Sequence, residues 1–190
     1  MKSAFIALGR FNEFTLKGGF ALFVLFMIGS CIRPQEKLQR EITNAEQELA
    51  SANDALPSFE KADSLLKMYL NYAEQYKDDT LSPSYLFKAG ELSMKVQRYS
   101  DAINYFNIVQ RYKNFNRLPE ALFFQAYLYD SQLQDTANAR KYYEQFVMQY
   151  PRHELADDAT HLLENLMLTP EQLIQKLEAV QQRDSMNKAF

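Results

Sequence analysis

Tyr76-Lys77-Asp78-Asp79-Thr80-Leu81-Ser82-Pro83-Ser84-Tyr85-Leu86-Phe87-Lys88-Ala89-Gly90 is answered 36 residues later by a second stretch, residues 112–126. Tyr76-Lys77 matches Tyr112-Lys113, Pro83 matches Pro119, and Leu86-Phe87 matches Leu122-Phe123. A repeat of this length is the signature of stacked helical hairpins. The interior agrees. Gly90 is followed by Ala102, Phe106 and Val109, and Ala126 by Ala139, Tyr143, Phe146 and Pro151. Small residues let two helices approach closely, and the aromatics fill the space beside them.

Outward from these stretches the chain keeps reading as helix. Strand signals are missing: there is no sustained alternation and no Asn-Gly or Asp-Gly turn. Leu38, Ile42, Ala45, Leu49, Ala52 and Leu56 recur at spacings of 4 and 3, an a/d seam of fewer than three heptads. The spacing suits an amphipathic helix packed on the next one better than a coiled coil, because alanine fills two of the six seam positions. Pro57-Ser58 breaks that helix, and Phe59–Tyr76 follows with one broad apolar stripe. Ser82-Pro83 reads as a helix start, serine capping and proline first inside. Glu154–Met167 and Glu171–Arg183 read as a further hairpin, Thr169 capping the last helix and Pro170 starting it.

The pattern resembles the tetratricopeptide repeat (TPR). Gly90, Ala102, Phe106 and Val109 match one repeat, with Asn114 in place of the closing proline. Ala126, Ala139, Tyr143, Phe146 and Pro151 match the next, with one extra residue in the Leu133–Ala137 turn. The large aromatic common in the first helix of the family is replaced by Leu86 and Leu122. The resemblance is clear over 83–116 and 119–153. It implies an all-α chain, an α–α superhelix of TPR-like hairpins over 58–184 preceded by an amphipathic N-terminal helix.

In that family the first helices of the hairpins line a groove that holds a protein segment. Carried onto this chain, the groove takes Phe87, Glu91 and Met94 from one helix and Glu120, Phe123, Tyr127 and Asp130 from the next. Tyr127 is the best anchor, since a phenol buries its ring and keeps its hydroxyl wet. Phe123 fits the inter-repeat core. Members that clamp a C-terminal carboxylate do so with Lys and Asn; Phe87 and Glu91 stand there here, which argues against that ligand.

The first thirty residues differ in kind. They hold four of the five glycines and none of the six prolines. Residues 18–32 are uncharged and follow Lys2, Arg10 and Lys17, as in a secretory signal. Fifteen residues are short for a membrane span of about 20. Ile28-Gly29-Ser30-Cys31 resembles a lipobox, the motif after which signal peptidase II cuts, and Cys31 is the only cysteine. The expectation is a lipoprotein signal over 1–30, a lipidated Cys31 with a tether helix over 31–57, and a flexible tail over 185–190. The alternative is an uncleaved anchor with an incidental Cys31. Cleavage would take 21 basic and 24 acidic residues to 18 and 23, a net charge of −5. Two or three acyl chains hold a protein stably on a bilayer, whereas one does so marginally.

Chemistry-bearing motifs are sparse. His153, Asp157 and His161 fall at i, i+4 and i+8, which sets the histidines about 12 Å apart on a helix, too far to share a metal. Asp78-Asp79 and Asp157-Asp158 are adjacent acids rather than a pair facing across a cleft. No Gly-rich phosphate loop and no Gly-x-Ser-x-Gly elbow occur. A net charge of −3 without a Lys/Arg-rich run argues against nucleic acid as partner. We therefore expect no catalytic residue, metal, cofactor or small-molecule substrate. The resemblance points instead to a scaffold lipoprotein at the periplasmic side of a Gram-negative-type outer membrane. Its partners would be a protein or peptide of the envelope and, through the lipid, the membrane. A division coordinator with coiled coil and repeats, or a holdase for secreted chains, are the alternatives.

Overall fold

The computed structural model describes residues 33–51 and 58–187, and these are all-α, with no strand among them. The helices are α1 (Pro34–Ser51), α2 (Phe59–Gln75), α3 (Ser82–Lys95), α4 (Tyr99–Val109), α5 (Leu118–Ser131), α6 (Thr136–Gln149), α7 (Ala156–Leu166) and α8 (Pro170–Asn187). The signal and Cys31, Ala52 and Leu56 of the seam, and Pro57 lie outside the described residues. The chain divides into two compact units, 1–41 and 42–190. Of the first, residues 33–41 are described; they form the opening turns of α1, with Lys37 and Glu41 paired at 3.7 Å.

The second unit is a run of hairpins. From α2 through α7, each helix packs on its neighbours in sequence. Two apolar clusters fill it. Ala73, Leu86, Phe87, Ala102, Phe106, Val109, Ala121 and Leu128 join α2 through α5. Leu122, Ala126, Ala139, Tyr143, Phe146, Ala156 and Ala159 join α5, α6 and α7. So α5 contributes to both clusters, and its apolar residues almost surround it. A helix with polar residues on so narrow an arc belongs inside a stack.

The small residues stand where the spacing put them. Gly90, Ala102, Ala126 and Ala139 are all buried. A Cβ on Gly90 would lie 2.5 Å from Cε1 of Phe106, so α3 and α4 approach closely only because position 90 carries no side chain. Phe106 and Phe87 meet at 5.3 Å between ring centroids, and Phe124 lies 5.6 Å from Phe106. Phe106, Tyr143 and Phe146 are completely buried, each removing about 2–3 kcal/mol worth of apolar surface from water. Pro151 stays exposed in the α6–α7 turn, after the helix has ended.

Helix ends follow local chemistry, with corrections. Ser58 caps α2 by accepting the Lys61 amide, and Asp135 caps α6 by accepting that of Asn138. Thr169 and Gln172 exchange side-chain and backbone hydrogen bonds across the start of α8, a capping box. Ser82 does not cap. It is buried, and its hydroxyl donates to the carbonyl of Tyr76 at the end of α2, while Asp79 accepts the Leu81 amide. The serine therefore joins two helices rather than starting one. Helix α8 runs to Asn187, into the segment expected as a tail over 185–190, whose last three residues lie outside the described ones.

Two glutamines have positive φ, Gln97 at 61° and Gln134 at 53°. Gln97 follows α3 in a Schellman ending: the Arg98 amide donates to Ser93 and the Gln97 amide to Met94. Gln134 occupies the matching turn after α5, one residue later because that turn is one residue longer.

Candidate functional site

The helical wheel of α3 leaves Ser84, Lys88, Glu91 and Lys95 on the side away from the clusters, none of them buried. Adding 36 gives Glu120, Phe124, Tyr127 and Ser131 on α5, again none buried. The two faces match at three of these four positions; at the fourth, Phe124 leans on Phe87 and Phe106 where Lys88 pairs with Glu46.

Most charges on this side are already paired. Glu46 of α1 accepts from Lys88 and from the Tyr69 hydroxyl, both at 2.8 Å. Arg117, just before α5, reaches Glu91 at 3.2 Å and Glu120 at 3.5 Å, and its guanidinium lies 3.8 Å from the centroid of Phe87. One arginine thereby holds two of the three acids of the expected groove and stacks on an aromatic (cation–π contact). Glu120 Oε2 is buried without a partner.

Beyond Arg117 the face changes. Tyr127 is 39% exposed. Asp130 is half-buried, and the Tyr143 hydroxyl donates to it at 3.5 Å. Burial pushes the Asp130 carboxyl above its ordinary range, partly offset by that hydroxyl. Burial first, then the charge of Asp130, raises the Tyr143 phenol, and the Tyr127 phenol adds to the effect.

The residues expected in a groove separate into two sets. Glu91, Glu120, Tyr127 and Asp130 are accessible in part. Phe87 is not: it is 1% exposed and belongs to the core, because its ring is enclosed by Phe106, Phe115, Phe124 and the Arg117 guanidinium. Met94 leans on the same cluster, and Phe123 packs edge-on against Tyr143 and Phe146.

Sequence reading missed Arg117 and Arg98. Arg98 joins Asp63 of α2 to Asp101 of α4, at 3.1 and 2.7 Å. It also missed Gln125, a buried residue of α5 whose amide donates to Asn107 of α4 at 2.6 Å. The 36-residue offset was the available signal for position 125, since it matches Ala89, also buried.

No metal-binding group of three or more His, Cys, Asp and Glu residues occurs among the described residues. The helical placement of His153 is corrected: α7 starts at Ala156, so His153 lies before it and its Nδ1 accepts the Leu155 amide. A cleft of about 600 Å³ opens between the α2–α3 and α4–α5 connections. Lys77, Arg111 and Lys113 line it, but so do Asp78 and Asp79. Among the described residues no helix is long and apolar enough to cross a membrane.

The described fold is that of an all-α protein built from helical hairpins. No protein-family model matches the chain, and no curated protein matches it in sequence.

Proposed function

We propose that the protein is a non-catalytic scaffold that docks a protein segment along the α3–α5 face, in the manner of a TPR protein. The observation that carries this reading is the repeated outward face. Positions 84, 91 and 95 recur as 120, 127 and 131, and the second set bears the exposed phenol Tyr127. A rigid array of equivalent helix faces presents an extended surface suited to a chain segment. The lipobox-like Ile28-Gly29-Ser30-Cys31 adds an anchor at an envelope membrane, and outer-membrane protein assembly is the process this resemblance suggests.

Pull-down of the lipidated chain from envelope extract tests the reading. One stoichiometric partner lost on Tyr127→Ala supports a scaffold. A heterogeneous set of unfolded chains supports a holdase, and retention of nothing contradicts both. The coiled-coil alternative is weakened by α1, where Ile42 is buried and Glu46 and Glu48 are tied to Tyr69, Lys88 and Lys61.

A further inference from the structure

We infer that the segment docked on this face presents a cationic side chain, lysine or arginine, to Tyr127 and Asp130. The inference rests on the docking reading above and adds the chemistry of the partner.

Its ground is an asymmetry in how the half-buried carboxylates are matched. Glu46 has Lys88, Glu91 and Glu120 share Arg117, and Asp63 and Asp101 share Arg98. Asp79 and Asp135 each accept a backbone amide in a turn. Asp130 has neither a cation nor a backbone N–H; its one contact is the Tyr143 hydroxyl at the long distance of 3.5 Å. A partly desolvated carboxylate without a counter-charge is costly, and a cation brought by a partner removes that cost.

Tyr127 supplies the second half of the site. It lies three residues before Asp130 on α5, so the two side chains neighbour each other on the helix surface. Its ring is the most exposed aromatic of the α3–α5 face. An aromatic face beside a carboxylate suits a guanidinium or ammonium group, which stacks on the one and pairs with the other. Of the cations named on this face, Lys88 and Arg117 are already occupied, and Lys95 stands exposed at the end of α3. The raised Asp130 carboxyl agrees with a charge that lacks its partner.

The test uses four pools of fluorescent octapeptides, randomised except for a fixed central arginine, lysine, citrulline or glutamate. Binding to the full chain in detergent micelles is read by anisotropy. We expect the arginine and lysine pools to bind roughly tenfold more tightly than the citrulline pool. Asp130→Asn should erase that preference. Tyr127→Phe should keep it and Tyr127→Leu should weaken it, with thermal melts showing that each variant folds. Equal binding of all pools, lost on Tyr127→Leu but indifferent to Asp130→Asn, overturns the cationic specificity and leaves docking standing. Failure of every pool to bind overturns both.

Discussion

The Phe106 ring lies against Gly90 so closely that a single added methyl would have to occupy space the ring already holds, 2.5 Å from Cε1. Two helices are locked face to face by the absence of one side chain. In an exposed helix Gly→Ala gains about 1 kcal/mol from backbone propensity. Here we expect Gly90→Ala to destabilise by about 1–3 kcal/mol, because Phe106 is fully buried and cannot swing into solvent. Phe106→Leu in the same chain should recover part of the loss. Urea denaturation of the two single variants and the double variant measures the coupling; independent effects would mean that the α3–α4 contact is looser than described.

Gln97 and Gln134 hold left-handed backbone at φ 61° and 53° without being glycine. That conformation costs a side-chain-bearing residue about 1–2 kcal/mol, while glycine loses more freedom on folding, by about 0.5–1 kcal/mol. Gln97→Gly is therefore expected to stabilise by about 0.5–1 kcal/mol, visible in thermal unfolding as a Tm raised by about 1–3 °C. Gln134→Gly should act in the same direction. A lowered Tm would show that the glutamine side chain contributes more than its backbone strain costs.

Asp130 gives a pH dependence whose sign can be worked out. Its carboxyl is raised in the folded chain by burial, so the folded state holds its proton to higher pH than the unfolded state, whose reference value is 3.8. Stability from this group is present below that value and declines as pH rises through the raised folded value. Asp63, lowered by Lys67 and then Arg98, has the opposite slope: its contribution is present at higher pH and lost on acidification. We expect Asp130→Asn to gain on the wild type progressively from pH 3 upward in urea denaturation. A difference independent of pH would show that Asp130 is as well solvated folded as unfolded.

The hairpins were legible because their signal is periodic. Gly90 and Ala126 on one side, Ala102 and Ala139 on the other, define buried contacts at an offset of 36 or nearly so. The candidate face was legible only in part. Phe87 and Tyr127 both looked like groove residues. Yet Arg117 reaches across from the following repeat to cover Phe87, while nothing covers Tyr127 in the same way. Contacts such as Arg117–Glu91 and Arg98–Asp63 join residues 26 and 35 apart, each arginine reaching from the start of one helix to a helix two elements earlier. Periodicity fixes which side of a helix a residue occupies; it does not fix how far an arginine extends along its neighbour. Ser82 was misread because a serine before proline suits a cap and a buried interhelix donor equally well at the level of composition.

Docking on the α3–α5 face is tested most directly by site-specific photo-crosslinking in the intact envelope. A photoreactive phenylalanine analogue replaces Tyr127 in one strain and Met148, 74% exposed on α6, in another. We expect a discrete protein adduct at position 127 and none at 148. No adduct at 127, or the same adducts from both positions, would contradict a docking role for this face.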